Sequence, residues 1–142
     1  MECPITIHCI GFARAQSGIG AVLTVQPPVG EPVVFEVQKS AGKHTKSQAD
    51  LIAVILALRS IKPERRNWPI TLYPPPGYAY NILEKNAIGK WLTNAKANQS
   101  WVNQAREAVL ACPRLVMQRA NTNNPAFVRC LELAREICPK EK

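Results

Sequence analysis

The sequence predicts an α/β fold: a five-stranded mixed sheet, in which three antiparallel hairpin-linked strands join two parallel ones, with helices on both faces. Two observations carry this reading. The first 37 residues hold three β-rich strings separated by turn residues, the pattern of a meander. From Thr45 onward, helix-period strings alternate with short β-rich ones, the pattern of parallel strands joined through crossover helices. The order is therefore β-β-β-α-β-α-(α)-β-α, with no internal repeat and no linker, and residues 1–142 are expected to form one domain.

Each element has a local cause. ITIHCIGFA, from Ile5, is rich in β-branched residues, and GAVLTVQ (Gly20–Gln26) follows a turn at Ser17–Gly20. The prolines and glycine of PPVGEP (Pro27–Pro32) cannot sustain a ladder, so this run reads as a hairpin loop before VVFEV (Val33–Val37). A polar, basic loop (Lys39–Lys46) precedes the strongest helix, where Ser47 and Asp50 have capping-box spacing ahead of Leu51, Ile52, Val54, Ile55, Leu58 and Ile61. Apolar residues cover most of its circumference, which places it in the interior. Lys62, Arg65 and Arg66 read as a solvated turn at its far end. WPITLY (Trp68–Tyr73) is a fourth strand, stopped by Pro74–Pro76, which lock φ and remove donors; the triple proline reads as a loop rather than a polyproline ligand. Tyr78–Lys85 reads as a short helix, Gly89–Ser100 as mixed and polar, Val102–Ala111 as a helix and Leu115–Gln118 as the fifth strand. Asn121–Pro125 opens a last helix running to about Cys138, with Pro125 suited to its first turn.

At 142 residues, 46% hydrophobic and 20% charged, the chain has material for one ordinary core. No stretch reaches the roughly 18 to 20 apolar residues of a membrane helix, and Met1–Pro4 carries no basic region ahead of an apolar run. An intracellular, soluble protein of cytoplasm or nucleus is expected, with no membrane partner. The five cysteines (Cys3, Cys9, Cys112, Cys130, Cys138) are odd in number and form no C-x-x-C pair, which favours buried free thiols over disulfides or zinc. His8 and Cys9, adjacent on a strand, point to opposite faces and are not expected to share a metal. Eighteen Lys and Arg against ten acids give a net charge of +8, which favours polyanionic partners, RNA or DNA first.

The element order is also that of the ribonuclease H fold, and three strings resemble that family. TKSQADLIAVILALRSI (Thr45–Ile61) resembles its T-N-N-x-A-E-L-x-A-x-x-x-A-L block, GIGAVL (Gly18–Leu23) its second strand, and NPAFVRCLELARE (Asn124–Glu136) its N-E-x-A-D-x-L-A-R helix. These strings cover most of the chain in the right order and spacing; Glu84–Trp101 matches weakly. Family members hydrolyse the RNA strand of an RNA/DNA hybrid with two metal ions held by four carboxylates, because two divalent ions roughly 4 Å apart need that much negative charge.

The resemblance places those ligands one by one. Ile10 stands where the first aspartate would sit, Pro75 where the strand-end aspartate would, and Leu131 where the last-helix aspartate would; the family's mobile histidine falls near Asn121. Only Asp50 survives, in place of a glutamate. Asp50 is also the only aspartate in the chain, and no carboxylate lies between Cys3 and Leu23 or between Ile70 and Leu83, so no small slip in alignment restores the set. Glu132 would need a turn of about 100° on its helix. The resemblance therefore implies a pseudoenzyme without metal or other cofactor, its cleft filled by Ile10, Pro75 and Leu131; such filling avoids a cluster of buried like charges. Asp50 reads first as a capping acid at a helix N-terminus, and second as a vestigial ligand.

Arg14, Lys39, Lys43, His44 and Lys46 border the position of the family's nucleic-acid cleft. Thr45 matches a threonine that contacts a DNA phosphate and doubles as a helix cap, while Ser47 and Gln48 match positions facing the minor groove. Trp91, flanked by Lys90 and Lys96, resembles a tryptophan placed against the DNA strand, although a core position is the favoured reading for a tryptophan in a small domain. The expected function is a catalytically inactive domain that binds duplex or hybrid nucleic acid through its phosphates. The alternative is a structural or protein-interaction module, with a protein partner, in a larger ribonucleoprotein or retroelement-derived assembly. An active ribonuclease with rearranged ligands would need Glu36, Asp50 and Glu132 to converge, with His8 or His44 as base.

Overall fold

The structure, a computed structural model, describes residues 2–84 and 98–138. β1 (Ile5–Ala13) runs between β2 (Ser17–Val25), antiparallel to it, and β4 (Ile70–Tyr73), parallel to it, in a sheet of order β3-β2-β1-β4-β5. β3 (Val33–Gly42) pairs antiparallel with β2 at one edge, and β5 (Leu115–Met117) pairs parallel with β4 at the other. This is the mixed sheet the sequence predicts. β1 takes the centre because it is apolar on both faces: Ile5, Ile7 and Cys9 on one, with His8 and Ile10 on the other, are all buried.

α1 (Lys46–Arg59), α2 (Tyr78–Glu84) and α3 (Gln99–Leu110) build the larger apolar cluster on the first face, and α4 (Pro125–Ile137) covers the second with Phe127, Cys130 and Leu133. α1 is buried at almost every position from Ala49 to Leu58 because the sheet lies on one side of it and α3 on the other. Both main helices rest on glycine. A Cβ on Gly11 would fall 2.5 Å from the Ala49 carbonyl carbon of α1, and one on Gly20 would overlap the Cys130 carbonyl oxygen of α4.

Several boundaries differ from the sequence reading. β2 begins at Ser17 rather than Gly20, because a tight turn, with the Arg14 N–H donating to the Gln16 carbonyl at 3.0 Å, closes earlier. β3 continues to Gly42, so Lys39 lies on a strand rather than in a loop; the β2 ladder carries it, and an exposed edge tolerates its polar residues. β4 starts at Ile70, after Pro69, whose missing N–H cannot join a ladder. α3 starts at Gln99 rather than Val102. The capping box is Thr45 with Gln48, not Ser47 with Asp50: Thr45 Oγ1 accepts the Gln48 N–H, and Gln48 Oε1 accepts the Thr45 N–H, each at 3.2 Å.

All five cysteines are buried and none is in a disulfide. Burial raises the Cys9 thiol pKa and pushes that of Cys130 up to about 12, and Cys130 Sγ donates to the His8 carbonyl at 3.1 Å. Iodoacetamide at mildly alkaline pH should therefore leave Cys9 and Cys130 unlabelled until denaturant is added, as read by peptide mass mapping. Labelling of native Cys130 at the rate of an exposed thiol would contradict the seating of α4 on the sheet.

Candidate functional site at the carboxyl ends of β1 and β4

The parallel pairing of β1 with β4 runs from Ile5–Ile70 to His8–Tyr73 and stops there, because Pro74 and Pro75 have no N–H to continue it. β1 goes on to Ala13. Its edge beyond His8 is therefore unpaired on the β4 side, at the carboxyl ends of the parallel strands, the place where open α/β sheets put their ligand sites. The Gly11 N–H, left without a strand partner on that side, donates to Asp50 Oδ1 at 2.8 Å. Lys46 Nζ donates to the same oxygen at 2.6 Å, one helical turn before it on α1.

Asp50 is 3% exposed, so it is not the capping acid its spacing suggested. Burial raises its pKa, against the opposing pull of the Lys46 charge and of the bonds from Lys46 and Gly11. Ile10 belongs to the apolar cluster beneath α4, and Leu131 packs against the same cluster. Pro74 and Pro75 are fully buried and only Pro76 is exposed, which leaves no polyproline face to present. Asn121 is exposed and shapes the turn into α4, its Oδ1 accepting the Asn123 N–H and its carbonyl the Asn124 N–H, both at 2.9 Å.

The rearranged hydrolase set does not assemble. Glu36 and Glu132 do meet, but around Arg129, at 2.7 and 3.3 Å, on the α4 face of the sheet, whereas Asp50 lies beneath α1 on the other face. His8 stacks on Tyr73 with ring centroids 4.4 Å apart, and burial lowers its pKa. His44 meets Trp101 edge-on at 5.3 Å, and its Nδ1 lies 3.4 Å from Gln48 Oε1. Among the described residues no group of three His, Cys, Asp or Glu could hold a metal ion.

The candidate nucleic-acid residues divide into committed and presented ones. Thr45 Oγ1 and the Gln48 amide are occupied by the cap, Gln48 also donates to Asn98 Oδ1 at 3.1 Å, and Lys46 is held by Asp50. Ser47 is half-buried, whereas Lys43 and Arg14 are exposed. The two presented cations share one end of the sheet, where Ser17 Oγ, beside the β1–β2 turn, donates to the His44 carbonyl at 3.0 Å. Lys90, Trp91 and Lys96 lie outside the described residues. Packing adds Phe12, Tyr80, Arg119 and Arg135, which sequence reasoning missed. The Arg14 and Arg135 guanidinium carbons lie 4.7 and 5.4 Å from the Phe12 ring centre, and that of Arg119 lies 4.5 Å from the Tyr80 ring centre. The FAR string hinted at the first pair; nothing in the sequence signalled Arg135, which α4 alone brings to Phe12.

No protein-family model matches the chain, and no curated protein matches it in sequence. Solved structures do. Ribonuclease H1 from the halophilic archaeon Halobacterium salinarum is similar over 94% of this chain and 96% of its own, with a TM-score of 0.70 at 22% identity. The chain has a ribonuclease H fold. The N-terminal ribonuclease H domain of a Mycobacterium tuberculosis protein is similar over 96% of this chain and 99% of its own, with a TM-score of 0.70 at 15% identity. The foamy viral protease-reverse transcriptase, in complex with an RNA/DNA hybrid, is similar over 95% of this chain and 20% of its own, with a TM-score of 0.68 at 15% identity. In this ribonuclease H fold the one aspartate, near the carboxyl end of β1, carries an ammonium, and Ile10, Pro75 and Leu131 supply no side-chain donor atom. These residues do not fit a pair of divalent ions, which would need several carboxylate oxygens in place of one shared with a lysine.

Proposed function

We propose that this is a catalytically inactive ribonuclease H-like domain that binds duplex or hybrid nucleic acid through backbone phosphates at the basic rim around Lys43 and Arg14. The observation that carries the loss of catalysis is the Lys46–Asp50 pair: the one aspartate is neutralised from within the chain, at 2.6 Å, and the other matching positions hold the apolar Ile10, Pro75 and Leu131. Binding is supported by the net charge of +8, by the exposed cations at one end of the sheet, and by the hybrid bound to the similar foamy viral enzyme.

Fluorescence anisotropy with an RNA/DNA hybrid, Mg²⁺ present and products run on a denaturing gel, tests both halves. Binding without cleavage is expected, and with about three phosphates neutralised the affinity should fall about 40-fold between roughly 50 and 200 mM salt. Cleavage above the background of a metal-free control would overturn the reading. A second reading is favoured by β3, an edge strand whose Val33, Val34 and Phe35 are 48%, 54% and 47% exposed; such an edge is a template for a protein partner. Absence of nucleic-acid binding even at low salt would turn the assignment to that interaction module.

A further inference from the structure

We infer that Arg14 and Arg135, both in contact range of the Phe12 ring, form a clamp for a single backbone phosphate of the bound nucleic acid. This deepens the nucleic-acid reading above and rests on it. Phe12 is half-buried near the carboxyl end of β1, paired with Gly18 across the sheet, and the last turn of α4 lies directly on that glycine. Arg135, in that turn, and Arg14, in the β1–β2 turn, are thereby brought to one ring, though 121 positions separate them in the chain.

Three features point to an anion. Both arginines are exposed, and neither forms an ion pair among the described residues, whereas Lys46, Arg114 and Arg129 each have a carboxylate. Their distances to the ring keep the two charges within about 10 Å of each other, about one screening length at 0.1 M salt. The cost of holding two like charges so close is relieved by an anion between them. The ring contacts also hold the planar forks, so less side-chain entropy is lost on binding than for a free lysine, and a guanidinium fork matches the two oxygens of a phosphate. The clamp continues the rim, since Ser17 ties the Arg14 turn to the loop that carries Lys43.

The test measures hybrid affinity against salt for the full chain and for R14A, R135A, R14A/R135A and R135K, each checked for native melting, with R59A at the far end of α1 as the control. The clamp predicts a three- to tenfold loss for either alanine variant and a salt slope smaller by about one, with the double variant losing no more slope than a single one because both arginines serve one phosphate. R135K should behave as R135A does. Slope losses of about one for each single variant and about two for the double would mean two separate phosphates and overturn the clamp. R135K binding like the parent chain would overturn it too, since charge alone would then suffice. Millimolar inorganic phosphate at constant ionic strength should leave the difference between parent and R135A intact; its loss would assign the site to free phosphate and overturn the backbone assignment. No hybrid binding by the parent chain would sink the function reading itself, whereas normal binding by all variants would sink the clamp alone.

Discussion

Gly11→Ala is expected to cost the fold about 3 kcal/mol, at the upper end of what overpacking a core costs. The added methyl would lie 2.5 Å from the Ala49 carbonyl carbon and 2.6 Å from its Cβ, and neither can yield alone: Ala49 sits in a helix buried between the sheet and α3. α1 must move as a body, and Asp50 moves with it away from the Gly11 N–H that it accepts. Thermal unfolding should show a midpoint lower by roughly 10 °C, given the few degrees per kcal/mol typical of this size. A shift of a degree or two would mean that α1 does not rest on β1 as closely as described. The same residue thus sets the depth of the helix and the position of Asp50.

Lys46→Met is expected to destabilise the protein by about 1–2 kcal/mol at neutral pH and by much less near pH 4, a discounted figure because the lysine is half exposed and screened. The sign follows from linkage. The Asp50 pKa is raised in the folded state, above an unfolded value of about 3.9. Folding therefore takes up a proton in the window between the two values, and the stability contribution of Asp50 falls as pH rises through it. Removing Lys46 takes away an influence that lowers this pKa, so the window widens upward and the loss grows toward neutral pH. Asp50→Asn should keep an acceptor for Gly11, remove the buried charge and flatten the dependence. Glu36 works in the opposite direction, its pKa lowered by the hydrogen bond from Arg129, so its contribution is lost as pH falls. Denaturant midpoints compared between variants at each pH cancel that background. Equal losses for K46M at pH 4 and pH 7 would show that the lysine stem, not its charge, matters.

The sheet order was legible in the chain because β-branched strings with turn residues between them, and then strand and helix periods in alternation, leave few ways to connect five strands. The interior place of α1 was legible for the same reason: a helix apolar all round has nowhere else to go. The scarcity of aspartate was legible as composition, since Asp50 is the only one in the chain. What Asp50 does was not legible. Spacing from Ser47 read as a cap, but the first turn begins one residue after Thr45, which hands the cap to Gln48 and turns Asp50 inward. Only the end of β1–β4 pairing at Pro74 frees the Gly11 N–H that meets it. The meeting of Phe12 with Arg135 lay equally beyond reach, because a contact across 123 positions is fixed by how α4 packs on Gly18 and Gly20 and leaves no local pattern. Sequence by itself determined which residue types are present and what periods they repeat with. The tertiary structure decided which backbone groups were left unpaired, and hence which charges met them.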